Sequence, residues 1–175
     1  MRFEPADRGS GECVVGEAQS VFIGKNIDWV GDKVLDKRDI LPLALSHEIN
    51  HALDFMAQRF PDLQLWAAGF SFGSFIAWSV GVEDPRVCAL IAVAPPASKW
   101  QFPDALYTSS KPKFIVHGEE DELIPLKAAR EFYSRLQEPK EFVVIDRATH
   151  LFEGQTSEVG DALEELLVDF SCPTR

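Results

Sequence analysis

The chain predicts an α/β fold, a mostly parallel sheet with helices on both faces. Short apolar runs alternate with amphipathic helical stretches across residues 43–170, the pattern of strand–helix–strand units. One run, VCALIAVA at 87–94, is apolar almost throughout, as a strand buried on both faces is. A third observation is the glycine-flanked serine of GFSFG at 69–73, set between a strand and a helix.

Residues 43–60 have a helical period, with Leu45, Ile49, Ala52, Leu53, Met56 and Phe60 on one face. Pro42 suits the start of this helix and Pro61 its stop. Residues 63–68 (LQLWAA) read as a short strand, and 72–82 as a helix entered by a sharp turn. The strand at 87–94 stops at Pro95-Pro96. Residues 97–112 are polar and proline-containing, hence a loop with one helical turn, and 97–110 are expected to form a small cap. A strand at 113–117, a helix at 126–136 after Pro125, a strand at 141–145 and an amphipathic helix at 158–170 complete the run.

The first 42 residues differ in character. Residues 12–16 and 20–25 have the composition of short strands. Parallel strands need crossovers of about a dozen residues, so this segment is expected to add a hairpin or one edge element. The 175 residues are read as a single domain, divergent over 1–42 and conventional over 43–170.

Composition excludes several classes. A formal net charge of −11 repels phosphate backbones and anionic membrane, so neither nucleic acid nor membrane is an expected partner. No apolar run reaches the roughly 18 residues of a membrane span. The start, MRFEPADRGSGEC, lacks the basic and apolar regions of a signal peptide. Cys13, Cys88 and Cys172 are odd in number, widely spaced and without zinc spacing, which suggests reduced thiols and a cytoplasmic setting.

The chemistry concentrates at three places. Gly69-Phe70-Ser71-Phe72-Gly73 is G-x-S-x-G in a strand–turn–helix context. A nucleophile standing proud of a sheet needs a sharp turn, and glycines two residues either side remove the Cβ atoms that would clash. The following helix N-terminus favours developing negative charge, with the Phe72 N–H as one oxyanion donor. A serine needs a base, and the base needs an orienting carboxylate. His150, in the loop after the strand at 141–145, is the expected base. Asp121, in the loop after the strand at 113–117, is the expected acid, with Asp146 in reserve and His117 structural. All three lie at carboxyl ends of strands, where reactive groups gather in α/β sheets.

In combination, GFSFGSFIA, HGEEDELIP and ATHLFEG resemble the α/β-hydrolase superfamily, and within it the small lidless bacterial enzymes related to dienelactone hydrolase and to serine peptidases. There a nucleophile elbow, an H-G-x-x-D-x-x-V/I-P segment and a late D/T-H-F/L-F segment carry the triad. The resemblance covers residues 43–170 and implies Ser71, Asp121 and His150, in the chain order Ser, Asp, His. It also implies a small-molecule acyl substrate and no cofactor. Phe70, Trp100 and Phe152 are expected to line an apolar substrate pocket. The departure is at the front, where Arg8-Gly9-Ser10-Gly11 looks like a damaged R-G-x-G turn and no residue is identifiable as the second oxyanion donor. Missing front strands would expose a sheet edge and favour a homodimer. Either residues 1–42 rebuild the missing parts, or the chain is a shortened descendant or an incomplete reading frame.

Two other functions compete. A hydrolase-like binding module without activity would follow from the altered front. A zinc peptidase would follow from His47-Glu48-Ile49-Asn50-His51, an H-E-x-x-H pattern on a helix. No third ligand follows at the usual spacing, and both histidines fall on the helix face of Asp54 and Gln58, opposite Ile49, Leu53 and Met56. They are expected to face solvent, with no metal bound.

Overall fold

The computed structural model describes residues 13–15, 20–23, 37–168, 170 and 172. The turn at 8–11 lies outside the described residues. Among the described residues, six strands form one sheet in the order β1-β2-β3-β4-β5-β6. Strand β1 (Cys13–Val15) pairs antiparallel with β2 (Ser20–Ile23), so the front adds a hairpin at the sheet edge. The remaining pairings, through β3 (Gln64–Phe70), β4 (Val87–Val93), β5 (Lys113–Gly118) and β6 (Lys140–Ile145), are all parallel.

Strand order dictates where the helices go. Crossovers between parallel strands are right-handed, and a sheet that grows in one direction puts every such crossover on one face. Helices α1 (Lys37–Arg59), α2 (Phe72–Gly81), α3 (Asp104–Thr108) and α4 (Leu126–Arg135) therefore share a face. Leu53 and Met56, Ile76 and Trp78, Leu106, and Phe132 bring these four helices into one core with Leu65, Leu90 and Ile115 of the strands. Among the described helices, only α5 (Thr156–Val168), which follows β6, reaches the other face. There Ala162 and Leu166 meet Trp66, Ile91, Phe114, Val116 and Ile145. Alternate residues of each strand serve the two cores: Leu65 and Ala67 one, Trp66 the other, as the period of two demands.

Three features depart from the sequence reading. Helix α1 begins at Lys37 and runs through Pro42, which the pattern had placed at the start. Pro42 removes one main-chain hydrogen bond without ending the helix. Residues 97–110 are anchored in the core where the composition suggested a polar loop. Phe102 and Leu106 are fully buried, and the Phe102 ring lies 4.7 Å from that of Phe132. Cys88 and Cys172 are joined as a disulfide, where the sequence suggested reduced thiols. The bridge ties the chain after α5 to β4, and Phe170 just before it packs edge-on against Trp66 and Phe114. This tail covers part of the second face beside α5. Among the described residues, no helix is long and apolar enough to cross a membrane.

Candidate active site

Ser71 sits between the last residue of β3 and the first of α2, with φ 48° and ψ −124°. A non-glycine residue there is strained, at a cost of about 1–3 kcal/mol. The surroundings hold it in place. The Ser71 N–H donates to Val93 O at 2.8 Å, and the Ser71 carbonyl accepts from both the N–H (3.0 Å) and the hydroxyl (2.6 Å) of Ser74. A Cβ on Gly69 would lie 2.5 Å from Gly73 O and Ser74 N, so the elbow requires glycine at that point. A serine at a helix N-cap ordinarily turns its hydroxyl onto the first-turn N–H groups. Ser71 makes no such cap. Its Oγ instead lies 2.9 Å from Nε2 of His150.

The acid completes the line. Asp121 Oδ2 is 2.8 Å from His150 Nδ1, and both side chains are buried. A carboxylate can only accept, so Nδ1 carries the proton, Nε2 is left as acceptor and the Ser71 hydroxyl donates to it. The other carboxylate oxygen, Oδ1, accepts the N–H groups of Leu123 (2.9 Å) and Ile124 (2.7 Å). Both oxygens are thus occupied, and the carboxylate is locked in rotation. Asp146, the reserve acid, is exposed and pairs with Arg147. His117 is wholly buried; its Nε2–H donates to Ile124 O at 2.9 Å, bracing the turn that holds Asp121. Burial holds its imidazole below the usual range, outweighing the opposing influence of the Ile124 carbonyl and of Asp121.

The acid and histidine loops are laced together by groups that sequence reasoning set aside. Glu119 N–H donates to Ile145 O and Glu120 N–H to Ala148 O. The Glu119 carboxylate accepts the Arg147 N–H at 3.0 Å, and Glu122 accepts the N–H of His150 itself at 3.1 Å. The latter bond is the main reason the Glu122 carboxyl titrates below its ordinary value. In sequence these glutamates look like a solvated acidic run. Their role depends on a loop 28 residues away. Gly118 fits the same seam, since a Cβ on it would lie 2.8 Å from Thr149 O. Arg147 and Phe152 flank His150 with φ 53° each, a local conformation that no glycine announces.

The remaining candidates fall as follows. Phe72 opens α2, where N–H groups have no carbonyl four residues back to bond. Phe70 is partly exposed, its ring 5.3 Å from that of His150. Trp100 lies against Phe72 and Phe75, at 4.8 and 5.2 Å between ring centroids. Phe152 is only 3% exposed and stands behind Phe70 in the second core, away from the surface. His47 and His51 are exposed with Asp54 and Gln58, as the helix period predicted. No cluster of three metal-ligating side chains occurs among the described residues. A cavity of about 780 Å³ lies at the opposite end of the strands, lined by Phe60, Leu63, Arg86, Lys111 and the Cys88–Cys172 pair. It is remote from the serine.

A mostly parallel sheet with a strained serine elbow after β3, and an aspartate and a histidine on the loops after β5 and β6, is a reduced α/β-hydrolase fold. Solved structures agree. An α/β serine hydrolase homologue from Coxiella burnetii is 26% identical, with a TM-score of 0.68 over 82% of this chain and 65% of its own. A lidless α/β serine hydrolase from Xanthomonas campestris is 23% identical, with a TM-score of 0.69 over 86% and 66%. The dienelactone hydrolase of Anabaena variabilis is 25% identical, with a TM-score of 0.65 over 74% and 61%. In sequence the chain is 28% identical to an uncharacterized protein of Rickettsia prowazekii over 126 residues, 67% of this chain and 52% of that one. The chain therefore spans about half the length of that relative and about two thirds of the structural ones. No family model matches.

Proposed function

We propose that this protein is a serine hydrolase of carboxylic esters or related acyl compounds, working through an acyl-enzyme on Ser71. The observation that carries the reading is the continuous line Asp121–His150–Ser71, at 2.8 and 2.9 Å, ending on a hydroxyl that forgoes its capping bond. The kinship in fold with α/β serine hydrolases supports it.

In this mechanism Ser71 Oγ attacks the acyl carbon while His150 Nε2 takes the hydroxyl proton. Asp121 keeps Nδ1 protonated and stabilises the imidazolium. The carbonyl π electrons move onto oxygen, which the Phe72 N–H stabilises at the positive end of α2. Collapse of the tetrahedral intermediate breaks the bond to the leaving group, which departs with the proton from His150. Water, deprotonated by the same histidine, then cleaves the ester to Ser71 and releases the acid. A second oxyanion donor is worth about 100- to 1000-fold in rate, and no residue of this sequence is identified as one.

The test is intact-mass analysis after treatment with a fluorophosphonate probe. We expect a single adduct on the wild type and none on Ser71→Ala. Absence of an adduct on folded wild-type protein would overturn the proposal and favour a binding module that keeps the triad without its chemistry.

A further inference from the structure

Among the described residues, five large apolar side chains are exposed: Phe55, Phe70, Leu123, Leu151 and Val168. Phe55 belongs to α1 and Val168 to α5. The other three each lie within two residues of a member of the Ser71–His150–Asp121 line. Phe70 precedes Ser71, Leu151 follows His150, and Leu123 is two beyond Asp121, whose carboxylate its own N–H reaches. Ser71, His150 and Asp121 are joined by hydrogen bonds, so the main chain at all three positions lies beside that line, and the Phe70 ring is 5.3 Å from that of His150. Leu123 and Leu151 are 51% and 57% exposed and Phe70 is 39% exposed. Singly exposed apolar side chains are ordinary, but three of the five beside one hydrogen-bonded serine–histidine–aspartate line point to a binding surface.

The charges beside them narrow the ligand. The acid loop carries Glu119, Glu120 and Glu122, and the histidine loop Asp146 and Glu153. Against these five carboxylates stands one strong base, Arg147, whose Nε donates to Asp146 at 3.3 Å. Carboxylates thus outnumber the base on these two loops, and their field repels an anionic substrate.

We infer that Phe70, Leu123 and Leu151 form an apolar rim that selects neutral esters with an alkyl or aryl group, and that anionic esters are disfavoured. The inference rests on the proposed serine hydrolase activity and specifies its substrate class. The alkyl group of the substrate lies along the rim, and each methylene it buries raises kcat/KM by up to about fourfold.

The experiment measures kcat/KM of the full chain for p-nitrophenyl acetate, butyrate, hexanoate and octanoate and for the anionic p-nitrophenyl hemisuccinate. Leu123→Ser and Leu151→Ser are compared with Val168→Ser, a still more exposed apolar position remote from the serine. Fluorophosphonate labelling and size-exclusion elution are recorded for each. We expect kcat/KM to rise along the neutral series and to be lowest for the hemisuccinate. The octanoate-to-acetate ratio should fall about three- to tenfold in each rim variant and stay at the wild-type value in Val168→Ser. A flat series, a preference for the hemisuccinate, or unchanged ratios in both rim variants would overturn the rim while leaving a labelled Ser71 and the hydrolase reading intact. A change of oligomeric state in the rim variants, with ratios unchanged, would reassign the patch to an interface between copies of the chain. A wild type that neither labels nor cleaves any ester would sink both proposals together.

Discussion

At the scale of single residues, Ser71 and His117 show how burial and backbone set chemistry. Ser71 is forced into a left-handed conformation by the turn from β3 to α2, and the neighbouring bonds to Val93 and Ser74 keep it there. His117 is a buried imidazole held neutral, its Nε2–H on the Ile124 carbonyl and its ring near Asp121. Its lowered pKa has a consequence for stability. An unfolded chain protonates this histidine as pH drops below about 6.5, whereas the folded chain does so only at lower pH. The unfolded state then binds more protons, so stability is full above that pH and is lost as pH falls through the interval. Urea unfolding at stepped pH values should show a midpoint that declines below about pH 6.5, and His117→Gln should flatten that decline. An unchanged slope in the variant would remove His117 from the account. Both residues were visible in the sequence, Ser71 by its flanking glycines and His117 by ending an apolar strand. That His117 braces the acid turn through a carbonyl seven residues on was not.

At the scale of elements, the site depends on two loops that fold against each other. The loop after β5 and the loop after β6 exchange main-chain and glutamate hydrogen bonds, and Gly118 lies where a Cβ would meet the Ala148 and Thr149 carbonyls. Gly118→Ala puts a Cβ against two carbonyls of the histidine loop, and neither is a flexible group that can swing away. We expect a loss of about 1–3 kcal/mol in unfolding free energy, together with slower fluorophosphonate labelling because His150 is pushed off line. Normal labelling in a destabilised variant would show that the seam supports the fold without aligning the histidine. The sequence places both loops correctly after their strands, since strands announce themselves by apolar runs. The seam is invisible there because its partners are about 28 residues apart and are mostly backbone groups.

At the scale of the whole molecule, the sheet is covered unequally. Sequential strand order sends α1 to α4 to one face and leaves α5 and the tail to cover the other. The Cys88–Cys172 bridge, across 84 residues of chain, fastens that tail. Closing a loop of this length restricts the unfolded chain by about 4–5 kcal/mol on the chain-entropy model. Adding dithiothreitol, or replacing Cys172 by serine, should lower the urea midpoint accordingly, and the two treatments should not add. A midpoint unmoved by either would mean that the bridge contributes nothing to stability in solution.

The sequence by itself determined the alternation of strands and helices, the buried central strand, the serine elbow and the loops carrying Asp121 and His150. Each of these rests on a local cause: a hydrophobic period, a proline stop or a glycine that a turn requires. Tertiary structure alone decided that the three side chains meet within hydrogen-bond distance. It also decided that Glu119 and Glu122 serve as loop fasteners, that Phe152 lies in the core behind Phe70, that α1 runs through Pro42 and that Cys88 finds Cys172. All but the first turn of α1 depend on pairings between segments far apart in the chain, which leave no periodicity or composition in either partner. The α1 start shows that a single proline need not end a helix.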